Sequence, residues 1–229
     1  MPENLAANLG KVQARIRDAA MRCGRDPAAI TLLAVAKQQS ATALRELVAC
    51  GQRDIGENYL QEAAPKMASL ASADIVWHYI GQIQSNKTRA IAEHFQWVHT
   101  VDRLKIAERL NEHRPPNAQP LNLCLQVKLV DEVGKGGVAP QALGALARGV
   151  AQLPRLRLRG LMCIPPPREQ YAEQLADFAQ CAALLQSLNA AGLSLDTLSM
   201  GMSADLEAAI AAGSTIVRVG TAIFGERQT

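Results

Sequence analysis

Two segments near opposite ends of the 229-residue chain carry the residues best suited to chemistry. The first is Thr31-Leu32-Leu33-Ala34-Val35-Ala36-Lys37, an apolar run of strand length closed by a single lysine. A primary amine in that position forms a Schiff base when partly apolar, electropositive surroundings lower its pKa. The plain alternative is that Lys37 only carries the strand into solvent. The second segment runs Ser199-Met200-Gly201-Met202-Ser203-Ala204-Asp205-Leu206, then from Gly213 through Arg218-Val219-Gly220-Thr221 to Gly225. Gly220 lets the backbone approach an anion, and Ser203 and Thr221 add hydroxyl donors, a set suited to a phosphate. Ser203 serves equally well as the N-cap of a helix starting near Asp205. Arg218 is the one charge in an apolar strand, where it requires a partner, structural or ligand. Asn58, in Gly56-Glu57-Asn58-Tyr59, and His78, in Trp77-His78-Tyr79-Ile80-Gly81, can both reach the same region, although an isolated histidine of this kind is more often packed in a core.

These groups act together only if the intervening elements bring them to one place. Leu5, Leu9, Val12, Ile16 and Ala19 recur at helical spacing and predict a helix near residues 3–22, stopped by Gly24 and Pro27. After the Lys37 strand comes a helix from about Ala41 to Cys50, ended by Gly51. Further strands are predicted near Asp54–Ile55, Val76–Ile80, Trp97–His99, Leu121–Lys128, Leu156–Ile164, Leu195–Met200 and Thr215–Val219. Helical stretches are clearest at Leu104–His113, Gln141–Ala151, Tyr171–Leu188 and Asp205–Ala212; the crossover after Ile80 is the least defined. Eight strands with helical crossovers predict a single α/β domain spanning 1–229, a TIM-type (β/α)₈ barrel with an extra N-terminal helix. A doubly wound open sheet is the alternative. In a barrel, the end of strand 1 and the loops after strands 7 and 8 share the C-terminal mouth, where such folds bind phosphate.

Composition excludes several functions. The net charge of +3 is too small to suggest nucleic acid. Lys66, Lys87, Arg89, Arg103 and Lys105 lie among acids, as on solvated faces. The five cysteines form no CxxC pair and read as reduced thiols of a cytoplasmic protein. The N-terminus lacks the apolar core of a signal peptide, and no run approaches the ~20 apolar residues of a membrane helix. The four histidines show no zinc spacing, Gly134-Lys135-Gly136-Gly137 matches neither a P-loop nor GxGxxG, and no GxSxG elbow occurs.

Taken together and in order, Lys37, Gly56-Glu57-Asn58-Tyr59, Trp77-His78-Tyr79-Ile80-Gly81, Asn86-Lys87 and the terminal segment carry a family resemblance. From Lys37 to Gly225 the chain resembles the pyridoxal 5′-phosphate (PLP) homeostasis proteins, the YggS/PROSC group, relatives of the barrel domain of alanine racemase. The resemblance implies a fold-type III PLP barrel in which Lys37 forms the internal aldimine and Arg218 faces the pyridine nitrogen. It implies Ser203, Gly220 and Thr221 on the phosphate, with Asn58 and Met202 near the cofactor. Arginine stays protonated and donates to an unprotonated pyridine nitrogen, which makes the ring a weaker electron sink. Racemases of this kind draw a second base from another domain, whereas this chain ends at Thr229 directly after the last strand loop. The expectation is a monomeric PLP-binding protein without turnover, which buffers PLP and delivers it to PLP-requiring apoenzymes. No metal, nucleic acid or membrane partner is expected.

Two departures from the family pattern stand out. Gln38-Gln39-Ser40 follows the lysine where the family has a proline nearby, which predicts a looser loop. Lys128 replaces a common asparagine and is left outside the site. Lys135, in the loop after strand 5, is either a transient second acceptor of PLP or a solvated loop residue. The rival functions are a small PLP-dependent racemase, with Tyr59, Tyr79 or His78 as its base, and a Schiff-base aldolase acting on a phosphorylated sugar.

Overall fold

The computed structural model describes residues 4–130 and 136–225. Its strands are β1 (Thr31–Val35), β2 (Asp54–Glu57), β3 (Val76–Tyr79), β4 (Trp97–Val101), β5 (Leu121–Gln126), β6 (Leu156–Met162), β7 (Thr197–Ser199) and β8 (Ile216–Val219). All pair in parallel with their sequence neighbours. β8 also pairs with β1, Leu33 beside Arg218 and Ala34 beside Val219, so the sheet closes into a barrel. Closure decides for the barrel and against the open doubly wound sheet. The strands are short, and β1 buries Leu32, Leu33 and Ala34 in succession, as a strand covered on both faces must.

The outer layer consists of α2 (Ala41–Ala49), α3 (Leu60–Ser69), α4 (Thr88–His94), α5 (Leu104–His113), α6 (Pro140–Ala151), α7 (Tyr171–Ala190) and α8 (Leu206–Ala211), one per crossover. α1 (Leu5–Arg22) precedes the barrel, and the four-residue α9 (Thr221–Phe224) follows β8. Asn4 caps α1 by accepting from the Ala7 N–H, and Gly24 ends the segment at φ 66°. The α1 stripe of Leu9, Val12, Ile16 and Ala19 is buried, and the helix packs on α2, α8 and α9. Each buried leucine or isoleucine of that stripe contributes ~1.5–3 kcal/mol relative to exposure.

The structure adds two elements that periodicity left undefined. α3 contains Pro65, whose missing N–H interrupts the helical pattern in the sequence. The crossover after Ile80 is a 3₁₀ turn at Ser85–Lys87 that runs into α4. Strand 7 is shorter than the apolar run Leu195–Met200 because Gly201, at φ 94°, turns the chain directly after it. Among the described residues no helix is long and apolar enough to cross a membrane, and no three His, Cys, Asp or Glu side chains gather around a possible metal.

β6 and β7 approach so closely that a Cβ on Gly160 would lie 1.8 Å from the Thr197 carbonyl oxygen. Gly160→Ala should therefore reduce stability by about 3 kcal/mol, the upper end of ordinary overpacking, seen as a lower urea midpoint at unchanged m-value.

Candidate functional site

Lys37 lies just beyond the end of β1, and its neighbours on both sides are tied down. The Ala36 N–H donates to the Gly56 carbonyl at 2.8 Å, and Lys66 Nζ donates to the Ala36 carbonyl at 2.8 Å. Gln38 adopts a left-handed φ of 63°, and its N–H donates to Glu62 Oε2 at 2.7 Å. A proline could not occupy that conformation, since its ring holds φ near −65°. Ser40 then caps α2 by accepting from the Ala43 N–H. Where the family has a proline nearby, the side chains of Glu62 and Ser40 accept hydrogen bonds from the backbone on this side of Lys37.

Lys66 itself overturns an expectation. Instead of standing on a solvated face it is 7% exposed and pairs with fully buried Glu57, Nζ to Oε1 at 2.8 Å. Burial pushes the Glu57 carboxyl above its ordinary value, opposed by the hydrogen bond and charge of Lys66. Nothing local in the sequence signals this pair, because the residues belong to different elements, β2 and α3. The pair and the Ala36 carbonyl together fix the backbone that carries Lys37.

A cavity of about 340 Å³ opens over this point, within the range of small-molecule sites. Lys37, Asn58, Met202, Ser203, Arg218, Gly220 and Thr221 all line it, so the seven residues singled out from the sequence converge on one place. Asn58 lines the cavity, and its Oδ1 is buried without a hydrogen-bond partner. Gly220 is the N-cap of α9, where backbone N–H groups lack intrahelical acceptors. Ser203 Oγ accepts from the Ala222 N–H at 3.4 Å. It does not cap α8; that position belongs to Asp205, whose Oδ1 accepts from the Met202 N–H. The loop is braced from outside by α1: Arg15 donates to the Ser203 carbonyl at 3.0 Å and to both Glu207 oxygens, and Asn8 donates to the Ile223 carbonyl.

Arg218 is 4% exposed, and burial lowers its pKa from the ordinary guanidinium value. Its Nη1 donates to the Ser199 carbonyl and Oγ, and its Nη2 to the Cys163 carbonyl at 2.9 Å. These acceptors are neutral, and a guanidinium with five N–H donors retains capacity toward the cavity. His78 does not reach the mouth. It is 1% exposed inside the barrel, between Asp54 and His99. It is turned away from the Lys37 cavity into contacts with Asp54, His99 and the Trp97 ring, which enclose it completely. Lys128 lines an adjoining cavity of about 300 Å³ that shares Asn58, Ile80 and Ile164 with the first. Lys135 lies outside the described residues.

Comparison with known proteins places this geometry. The family described as alanine racemase, N-terminal domain, matches residues 7–228. A pyridoxal phosphate homeostasis protein of Pseudomonas aeruginosa is 61% identical over 223 residues, covering 97% of this chain and 96% of that protein. The chain belongs to the pyridoxal phosphate homeostasis protein family. The family's Escherichia coli K12 protein is 51% identical over 227 residues, 98% of this chain and 97% of that protein. PipY of Synechococcus elongatus PCC7942, solved with PLP bound, superposes with a TM-score of 0.86 at 40% identity. That match covers 97% of this chain and 100% of PipY. This family member thus carries its candidate site at the C-terminal mouth of the barrel.

Lys66→Met would leave Glu57 buried beside no cation, and unfolding experiments at pH 7 should show a loss of about 3–5 kcal/mol. A second expectation concerns pH. Burial lowers the pKa of His78, against the opposing pull of Asp54, and lowers that of His99 further, with the neighbouring His78 and Arg218 adding to the effect. The unfolded chain binds these protons first, so the stability they contribute is present above the ordinary value of 6.5 and is lost as pH falls below it. Urea melts between about pH 7.5 and 5 should record that decline, and His99→Gln should make it shallower.

Proposed function

We propose that the Lys37 cavity is the PLP site of this chain and that the chain serves PLP homeostasis by binding, buffering and handing on the cofactor. The observation that carries this reading is the convergence, in one cavity, of a primary amine, a buried guanidinium, a hydroxyl- and glycine-lined anion cradle and an unpartnered buried acceptor. PLP, when bound, supplies an aldehyde able to condense with a primary amine, a pyridine nitrogen able to accept a hydrogen bond, and a phosphate. The residues present fit each of these groups.

In this reading Lys37 Nζ offers the amine, held in place by the anchored backbone on either side. Arg218 donates to the ring nitrogen without giving up its proton, since guanidinium stays charged. Ser203, Gly220 and Thr221 take the phosphate, and Asn58 and Met202 contact the ring or its substituents. The anion cradle and the amine follow the ends of adjacent strands, β8 and β1, so both ends of one small ligand would be gripped at once.

The chain acts as a carrier without turnover, and delivers PLP to apoenzymes as a monomer. One observation supports this: the relatives are named for homeostasis. With Arg218 at the ring nitrogen, as proposed, the pyridine would be a weak electron sink.

The test is the visible absorbance of the protein after incubation with PLP and removal of free cofactor, beside Lys37→Ala. A yellow band in the parent that the variant lacks is expected. A parent that stays colourless would overturn the reading and favour a phosphosugar aldolase. Incubation with single-enantiomer amino acids should leave optical rotation unchanged; steady loss of rotation would favour a racemase.

A further inference from the structure

A line of hydrogen bonds runs through the barrel interior and ends on Arg218. Asp54, the first residue of β2, has a side chain 30% exposed at the N-terminal end of the barrel. Its Oδ1 lies 3.0 Å from His78 Nε2. His78 Nδ1 lies 2.9 Å from His99 Nε2, and His99 Nδ1 lies 2.8 Å from Ser199 Oγ. Ser199 Oγ lies 2.9 Å from Arg218 Nη1. β3 and β4 stand across the closed sheet from β7 and β8, so this line crosses the interior and does not follow the wall.

The two ends dictate its direction. A guanidinium has only donors, and a carboxylate has only acceptors. With both imidazoles neutral, one arrangement of hydrogens satisfies every contact. Arg218 Nη1–H donates to Ser199 Oγ, Ser199 O–H to His99 Nδ1, His99 Nε2–H to His78 Nδ1, and His78 Nε2–H to Asp54. Both rings are therefore Nε2–H tautomers, a state fixed by groups on three other strands, β2, β7 and β8. Complete burial keeps both rings neutral near pH 7. The rings are also mechanically constrained. His78 stacks on Trp97 with ring centroids 5.5 Å apart and planes 7° from parallel, and the Arg159 guanidinium lies 4.9 Å above Trp97 from the other elements of the barrel.

We infer that Asp54, His78, His99 and Ser199 form a unidirectional positioning chain that orients the Arg218 guanidinium toward whatever occupies the Lys37 cavity. The chain compels the Ser199 hydroxyl to spend its proton on His99, which leaves an Oγ lone pair aimed at Arg218 Nη1. That lone pair joins the Ser199 and Cys163 carbonyls in fixing the guanidinium plane. The positive end of the line is thus held at the site and the negative end at the opposite mouth. The four residues act through Arg218 and are positioning residues; none of them lines the Lys37 cavity.

The first arm of the test needs no cofactor. Long-range proton–nitrogen correlation spectra of the protein free of PLP at pH 7 should show His78 and His99 with protonated Nε2 and bare Nδ1. An Nδ1–H tautomer or an imidazolium at either ring would overturn the chain. The second arm rests on the PLP reading given above. Ser199→Ala and His99→Leu should each weaken PLP binding about tenfold and shift the absorbance maximum of the bound cofactor. His99→Asn, whose amide oxygen can stand in for the Nδ1 acceptor, should recover most of both. Folded Ser199→Ala protein that binds PLP with the parent's affinity and spectrum would overturn the inference. If His99→Leu does not fold, Ser199→Ala and the parent spectra still decide. Failure of the parent to bind PLP would sink the functional reading alone, because the tautomer spectra stand independently of it.

Discussion

The pairing of β8 with β1 is the constraint on which the remaining structure depends. It sets Leu33 beside Arg218 and Ala34 beside Val219, joining segments that lie at opposite ends of the chain. Without that register the sheet would have two open edges, and Lys37 would lie far from Gly220 and Ser203. With it, the amine and the anion cradle follow the ends of adjacent strands, and Arg218 lines the same cavity. α1 secures the same seam from outside, since Arg15 and Asn8 hold the carbonyls of Ser203 and Ile223. The N-terminal helix is therefore part of the site's support as well as a cover for its apolar flank.

Two buried charged groups, the Glu57–Lys66 pair between β2 and α3 and the Arg218 guanidinium, serve the mouth. A buried ion pair such as Glu57–Lys66 is a poor source of net stability, because desolvation of both charges offsets much of their attraction. Its value here is geometric: Lys66 also holds the Ala36 carbonyl, one residue from Lys37. Arg218 shows the same logic. Its charge is met by neutral oxygens of Ser199 and Cys163, an arrangement that satisfies hydrogen bonds while keeping donors for a ligand. Both cases trade folding stability for a site organised before anything binds.

The character of the ring-nitrogen partner bears on what such a site can do. A carboxylate there would favour a protonated pyridinium and draw electrons from a bound substrate, whereas an arginine favours the unprotonated ring. An amine, a cradle and a guanidinium are what the proposed reading asks to hold PLP.

Much of this was legible in the residues themselves. The rhythm of apolar runs and helical stripes is a local property, so the eight strands and most helices follow from side-chain periodicity. Lys37 at a strand end, the glycine and hydroxyl groups after β8, and the need of Arg218 for a partner are likewise local facts of residue type and position. α3 escaped because Pro65 interrupts its pattern, and Lys66 escaped because a lysine among polar neighbours looks solvated until packing encloses it. The role of His78 was out of reach for a related reason. His99 and Ser199 are 100 residues apart, and only barrel closure and strand stagger set them 2.8 Å from one another. The amino-acid sequence by itself determined which elements form and which side chains carry chemistry, since those depend on neighbours along the chain. Tertiary structure alone decided which buried polar groups meet and in which direction their hydrogens point, since those contacts cross the barrel between residues that no local spacing relates.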